Sequence, residues 1–136
     1  MVYTPTEGDL PFHRLGGDEP IRRLAARFYD LMDATEPTLA AIHERDEQGR
    51  VSQRSRSRFS DFLVEWMGGP TIYSSVNGHP RLRMRHNRVK VDLEMRDAWV
   101  RCMKAAMDAE GITGDVRPFL DARFAEVADF MRNVEG

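Results

Sequence analysis

Gly78-His79-Pro80-Arg81-Leu82-Arg83-Met84-Arg85-His86 is the stretch from which the rest of the chain is best read. These residues hold two of the chain's four histidines and three arginines. Gly78 and Pro80 interrupt the backbone, so His86 is expected on a short segment after a turn rather than inside a long helix. Val89 and Val91 follow, and Asp92 is a good N-cap for a helix that carries Trp99 among small and flexible apolar residues. An imidazole beside guanidinium groups, with an aromatic-bearing helix close behind, has donor chemistry suited to an iron porphyrin. Imidazole ligates the iron from one side, and guanidinium groups pair with the propionates.

Upstream, Met1 to Leu15 carries Pro5, Gly8 and Pro11 among scattered polar residues and reads as an irregular extension over residues 1–16. A first helix then starts with Asp18 as N-cap and Pro20 in its first turn, and Ile21, Leu24, Ala25, Phe28, Leu31 and Met32 recur on one face. Tyr29 adjoins that face; on the residues alone it is a core-edge tyrosine with a satisfied hydroxyl. Thr35 is the candidate cap of a short helix through Leu39, Ala40 and Ile42. His43 ends it, where an imidazole usually complements the helix dipole. Residues 44–50 are polar and read as a solvated loop.

A helix from about Ser52 to Met67 follows, with Phe59, Phe62, Leu63, Trp66 and Met67 inside and Gly68-Gly69-Pro70 as its stop. Arg54, Arg56 and Arg58 read as its solvated face. The Asp92 helix places Met95, Ala98, Trp99, Cys102, Met103 and Ala106 at helical spacing and ends near Gly111; Trp99 alone is most cheaply a core anchor. A last helix begins at Asp115, with Leu120, Phe124, Val127, Met131 and Val134 inward. These periodicities establish an all-α core. With 136 residues, one domain is expected.

A formal net charge of −2 argues against bulk affinity for nucleic acid or anionic membranes. A single cysteine, Cys102, rules out an internal disulfide and fits a reducing, cytoplasmic setting. No signal peptide or bilayer-spanning apolar run is visible. His79 and His86 with Cys102 make a poor zinc site, and no serine or cysteine is singled out as a nucleophile.

Gly68-Gly69-Pro70, Tyr73, the opening stretch and Arg96-Asp97-Ala98-Trp99, with Phe28-Tyr29 upstream, resemble the group II truncated haemoglobins. The resemblance runs from Ile21 to about Val134 and is weak over the first sixteen residues. It implies a short globin fold over residues 17–136, a two-over-two helical sandwich around a haem b. By residue-by-residue match, His86 is the proximal iron ligand, with Arg85, Arg83 and Tyr73 as candidate propionate partners. Tyr29 and Trp99 line the distal side, and Ser55 and Phe59 face it one turn apart. Aligned with a one-residue gap, His43 falls where the family commonly carries tyrosine or phenylalanine. The family's usual Ala-Pro-Phe after the proximal histidine is Asn87-Arg88-Val89 here.

The implied function is reversible binding of oxygen and other diatomics at ferrous iron. Oxygen transport, peroxidase-like chemistry or nitric oxide detoxification with an unidentified reductase would follow from it, in a monomer or homodimer. From another class, a nucleic-acid-binding module would use Arg81, Arg83, Arg85, Arg88 and Lys90. The acidic balance and the lone nearby aromatic, Tyr73, rank it a distant second.

Overall fold

The computed structural model describes residues 2–78 and 91–132. His79, Arg81, Arg83, Arg85, His86, Arg88 and Lys90 lie outside the described residues. Among those described, the architecture is all-helical: α1 (Pro11–Leu15), α2 (Asp18–Thr35), α3 (Pro37–Ala40), α4 (Gln53–Trp66), α5 (Ile72–Asn77), α6 (Leu93–Ala109) and α7 (Val116–Met131). None is long and apolar enough to cross a membrane.

Helix α2 is the hub, packing on both α4 and α6, and α6 packs in turn on α7. That double duty explains why its buried set is wider than one stripe. Ile21, Leu24, Ala25, Phe28 and Met32 form the expected face, and Tyr29, one residue round from Phe28, is buried as well. Asp18 is the first helical residue rather than the cap, because Gly17 takes the non-helical position before it. Asp18 and Glu19 then sit in the first turn, where carboxylates favour the positive end of the helix dipole.

Thr35 does not cap the short helix. It is the last residue of α2, where its hydroxyl donates to the Leu31 carbonyl at 2.7 Å, and Glu36 takes the capping position ahead of Pro37. Ser52 caps α4 by accepting from the Ser55 N–H, and Asp92 caps α6 by accepting from the Met95 N–H. Asp115 precedes α7 without a side-chain cap bond and pairs instead with Arg14 at 2.7 Å.

The expectation of an irregular segment over residues 1–16 needs correction. Pro11 opens α1 at a position where its missing N–H is harmless, and the Phe12 N–H donates to the Met67 carbonyl at 2.8 Å. Tyr3 is buried and meets Phe119 edge-on at 5.1 Å. The pair Gly68-Gly69 makes this docking possible. A Cβ on Gly68 would stand 2.6 Å from a Leu10 methyl carbon, and one on Gly69 would stand 2.6 Å from the Phe12 ring. The glycines therefore both stop α4 and let the N-terminal segment close against its end.

Candidate functional site

Between the α2–α4 pair and the α6–α7 pair lies a cavity with about 610 Å³ of space between its walls, its open mouth included. Its described walls come from α2 (Tyr29), the α3 region (Leu39, Ile42, His43), α4 (Phe59, Phe62), α6 with the residue leading to it (Val91, Met95, Arg96, Trp99) and α7 (Val127, Ala128, Met131). The wall is mostly apolar, with a phenol, an imidazole, an indole and a guanidinium set into it.

Aromatic packing fixes the geometry. Phe28, fully buried, has ring centroids of Tyr29, Phe59 and Trp99 at 5.2, 5.3 and 5.2 Å. Tyr29 meets Phe59 edge-on at 5.5 Å and His43 edge-on at 5.6 Å. Trp99 is backed by Phe124 at 5.9 Å, and Phe124 stacks on Trp66. Rings at 4.5–7 Å in tilted or edge-to-face arrangements hold one another in position beyond the area they bury.

The polar atoms of Tyr29 and Trp99 are left over from this packing. Among the described residues no hydrogen bond takes up the Tyr29 hydroxyl or the Trp99 indole N–H, and no side-chain N or O is both fully buried and unpaired. The Tyr29 hydroxyl therefore keeps access to open space, and the cavity is the space Tyr29 lines. Burial pushes the phenol's pKa well above its ordinary value, an effect that Arg56 and Arg58 partly offset. Tyr29 thus remains a protonated donor at any physiological pH. The His43 Nδ1 lies 3.0 Å from the Leu39 carbonyl, a contact that fits a proton on Nδ1.

Phe59, Tyr29, Trp99 and His43 come together as the sequence reading expected. Ser55 does not join them: it is absent from the described wall and is tied to the helix cap by Ser52, whose hydroxyl lies 3.3 Å from its own. Tyr73 is buried one layer back, edge-on to the wall residue Phe62 at 5.6 Å. Arg96 is a wall residue that sequence reasoning did not single out. It sits one turn before Trp99 on α6, a spacing that shares a face, and it pairs with Asp129 at 2.8 Å and Asp97 at 3.0 Å.

A helical sandwich over an aromatic cavity with free donors is the architecture of a globin. The sequence profile of the bacterial-like globins matches residues 11–133. A group 2 truncated haemoglobin of Bacillus subtilis is 37% identical over 125 residues, covering 92% of this chain and 89% of that protein. The crystal structure of the group II truncated haemoglobin from Bacillus anthracis superposes with a TM-score of 0.84 at 31% identity, covering 93% of this chain and 98% of that one. The group II 2-on-2 haemoglobin from Agrobacterium tumefaciens also gives 0.84, at 32% identity over 98% of this chain and 100% of that one. The chain belongs to the bacterial-like globin family, within its group II truncated haemoglobins, and its fold is the two-on-two globin sandwich. The nucleic-acid alternative finds no support in these matches.

Globins hold haem, and the residues present fit one: flat apolar walls from Phe59, Phe62 and Met131 suit a macrocycle, and the Tyr29 and Trp99 donors suit a polar guest on its face.

Proposed function

We propose that the protein holds haem b through His86 and binds oxygen and other small diatomic ligands in the cavity beneath Tyr29. The observation that carries this reading is Tyr29, its ring buried among rings, its phenol protonated and lining the cavity, and its hydroxyl without a hydrogen-bond partner among the described residues. Ferrous haem supplies reversible coordination of a diatomic gas; the chain's own residues supply the surroundings. Tyr29 donates a hydrogen bond from α2, and Trp99 offers a second donor from α6. His43, with Nδ1 directed to Leu39, adds an imidazole to the same wall. Phe28, Phe59 and Phe62 keep water from competing for these donors. Arg83, Arg85 and Tyr73 are the proposed propionate partners. Cytoplasmic oxygen binding or transport is the primary role, and reduction by an electron-donor protein belongs to the same proposal.

An absorption spectrum of the purified protein tests the reading directly. An intense haem band is expected, with His86→Ala losing haem or changing the ferrous spectrum. Unchanged haem content and spectrum in that variant would remove His86 from the iron.

A further inference from the structure

Beside Tyr29, and not among the described residues of the cavity wall, sits a charged assembly that neither the fold nor gas binding accounts for. Arg56, on α4, is only 14% exposed, and every edge of its guanidinium is held. Its Nε donates to the Val51 carbonyl at 2.9 Å, Nη1 to Asp30 at 2.8 Å and Nη2 to Asp33 at 2.6 Å. Asp33, as buried as Arg56, also accepts from the Val51 N–H at 3.1 Å. Asp30 and Asp33 both follow Tyr29 on α2, one and four residues further on. The guanidinium carbon stands 5.7 Å from the centre of the Tyr29 ring.

A guanidinium bonded on three sides is restrained in place, and an aromatic ring attracts a cation within about 6 Å of its centroid. Among the described residues, Tyr29 has no hydrogen bond to fix its ring. Phe28, Phe59 and His43 lie against the ring tilted or edge-on, none of them stacked parallel on it, and the Arg56 guanidinium stands over it. From this juxtaposition we infer that Arg56 is the positioning residue for Tyr29: clamped by Asp30, Asp33 and Val51, it fixes the ring and draws electron density from the phenol, so that the hydroxyl is aimed into the cavity as a strengthened donor. The inference rests on the proposed ligand-binding role of the Tyr29 cavity. Arg56 touches no ligand and acts only through Tyr29.

Two readouts on the reduced, carbon-monoxide-saturated full-length protein test this, with Arg56→Met, Arg56→Lys and Tyr29→Phe. The first is the infrared stretching band of carbon monoxide, which reports the donor field at the ligand. The second is the ring-flip rate of Tyr29 by NMR, with Tyr3 and Tyr73 as internal controls. Arg56→Met is expected to raise the stretching frequency and speed Tyr29 ring flipping tenfold or more, leaving the controls unmoved. Arg56→Lys, which keeps the charge and loses the fork, should fall between. In a Tyr29→Phe background, Arg56→Met should no longer shift the band. If Arg56→Met does not fold because the buried Asp33 loses its guanidinium, the Arg56→Met/Asp33→Asn pair should show the same band and ring changes.

An unmoved band and ring in the Arg56 variants would overturn the inference, as would an equal band shift with phenylalanine at position 29. Absence of any carbon monoxide band in the wild type would defeat the haem proposal instead, and the ring-flip readout alone would then decide the role of Arg56.

Discussion

Tyr3 and Tyr29 are each 5% exposed, each packed against phenylalanine, and each faced by an arginine. The Tyr3 hydroxyl donates to the Asp9 carbonyl at 2.7 Å, and its ring lies 4.6 Å beneath Arg14. Every polar element of that corner is used within the corner: Asp9 binds Arg14 through two contacts, and Arg14 reaches on to Asp115 at the head of α7. At Tyr29 the ring is likewise packed among aromatic rings, but no described residue takes up the hydroxyl. The Tyr29 hydroxyl escapes the cost of an unpaired buried donor only because it reaches the cavity, where the proposed ligand would serve as its partner. Burial and arginine contact are shared by the two tyrosines; what differs is the fate of the hydroxyl.

The largest way to break the comparison is to remove the ring that holds Tyr29 in place. Phe28→Ala is expected to destabilise the fold by about 3–5 kcal/mol, since Phe28 is fully buried and braces Tyr29, Phe59 and Trp99. Chemical denaturation measures this, and a loss below about 1 kcal/mol would mean that the site repacks without its hub.

Tyr29→Phe should separate function from stability. With no internal hydrogen bond to lose, folding stability should change by less than about 0.5 kcal/mol. A hydrogen bond to a polarised ligand contributes on the order of 1–3 kcal/mol, so oxygen should leave roughly tenfold faster or more. Stopped-flow release and a denaturation curve on one preparation give both numbers. A stability loss without a kinetic change would make Tyr29 a second Tyr3.

The sequence carried the helices well because their apolar residues recur at 3.6-residue spacing. The faces of α2, α4, α6 and α7 therefore emerged from Ile21 to Met131 with only small shifts at the ends. It carried α1 poorly, since five residues are too few to show a period. The docking of α1 instead depends on Gly68 and Gly69, more than fifty residues away. Ser55 shares a side of α4 with Phe59, but helical spacing does not reveal that the first turn is held by the Ser52 cap, off the cavity wall. Arg56 looked like one of three solvated arginines. Its burial depends on Asp30 and Asp33 of another helix, a pairing that local pattern cannot show. The roles proposed for Tyr29 and His43 were legible only through resemblance, since periodicity sees one as core and the other as a helix end.

At the other tyrosine the effects invert and become smaller. Tyr3→Phe removes the bond to the Asp9 carbonyl and should lower stability by about 0.5–1.5 kcal/mol while leaving oxygen release unchanged. An altered release rate would connect the N-terminal corner to the cavity and dissolve the contrast.

The smallest effect concerns the acid that Arg14 grips in that corner. The hydrogen bonds from Arg14 hold the Asp9 carboxyl below its ordinary 3.8, with the Arg14 and His13 charges acting in the same sense and desolvation opposing them. A carboxylate with a depressed folded pKa contributes stability that is fully present above its unfolded value and is lost as pH falls through the folded one. Asp9→Asn should therefore be slightly less stable than wild type near neutrality, with the difference closing as pH drops below 3.8. Asp9 and Arg14 are both partly solvated, so added salt should shrink the difference as well. Melting curves of both proteins from neutral to acid pH, at low and high salt, measure it. Parallel curves that never converge would show that Asp9 contributes to this corner through the shape of its loop and not through its charge.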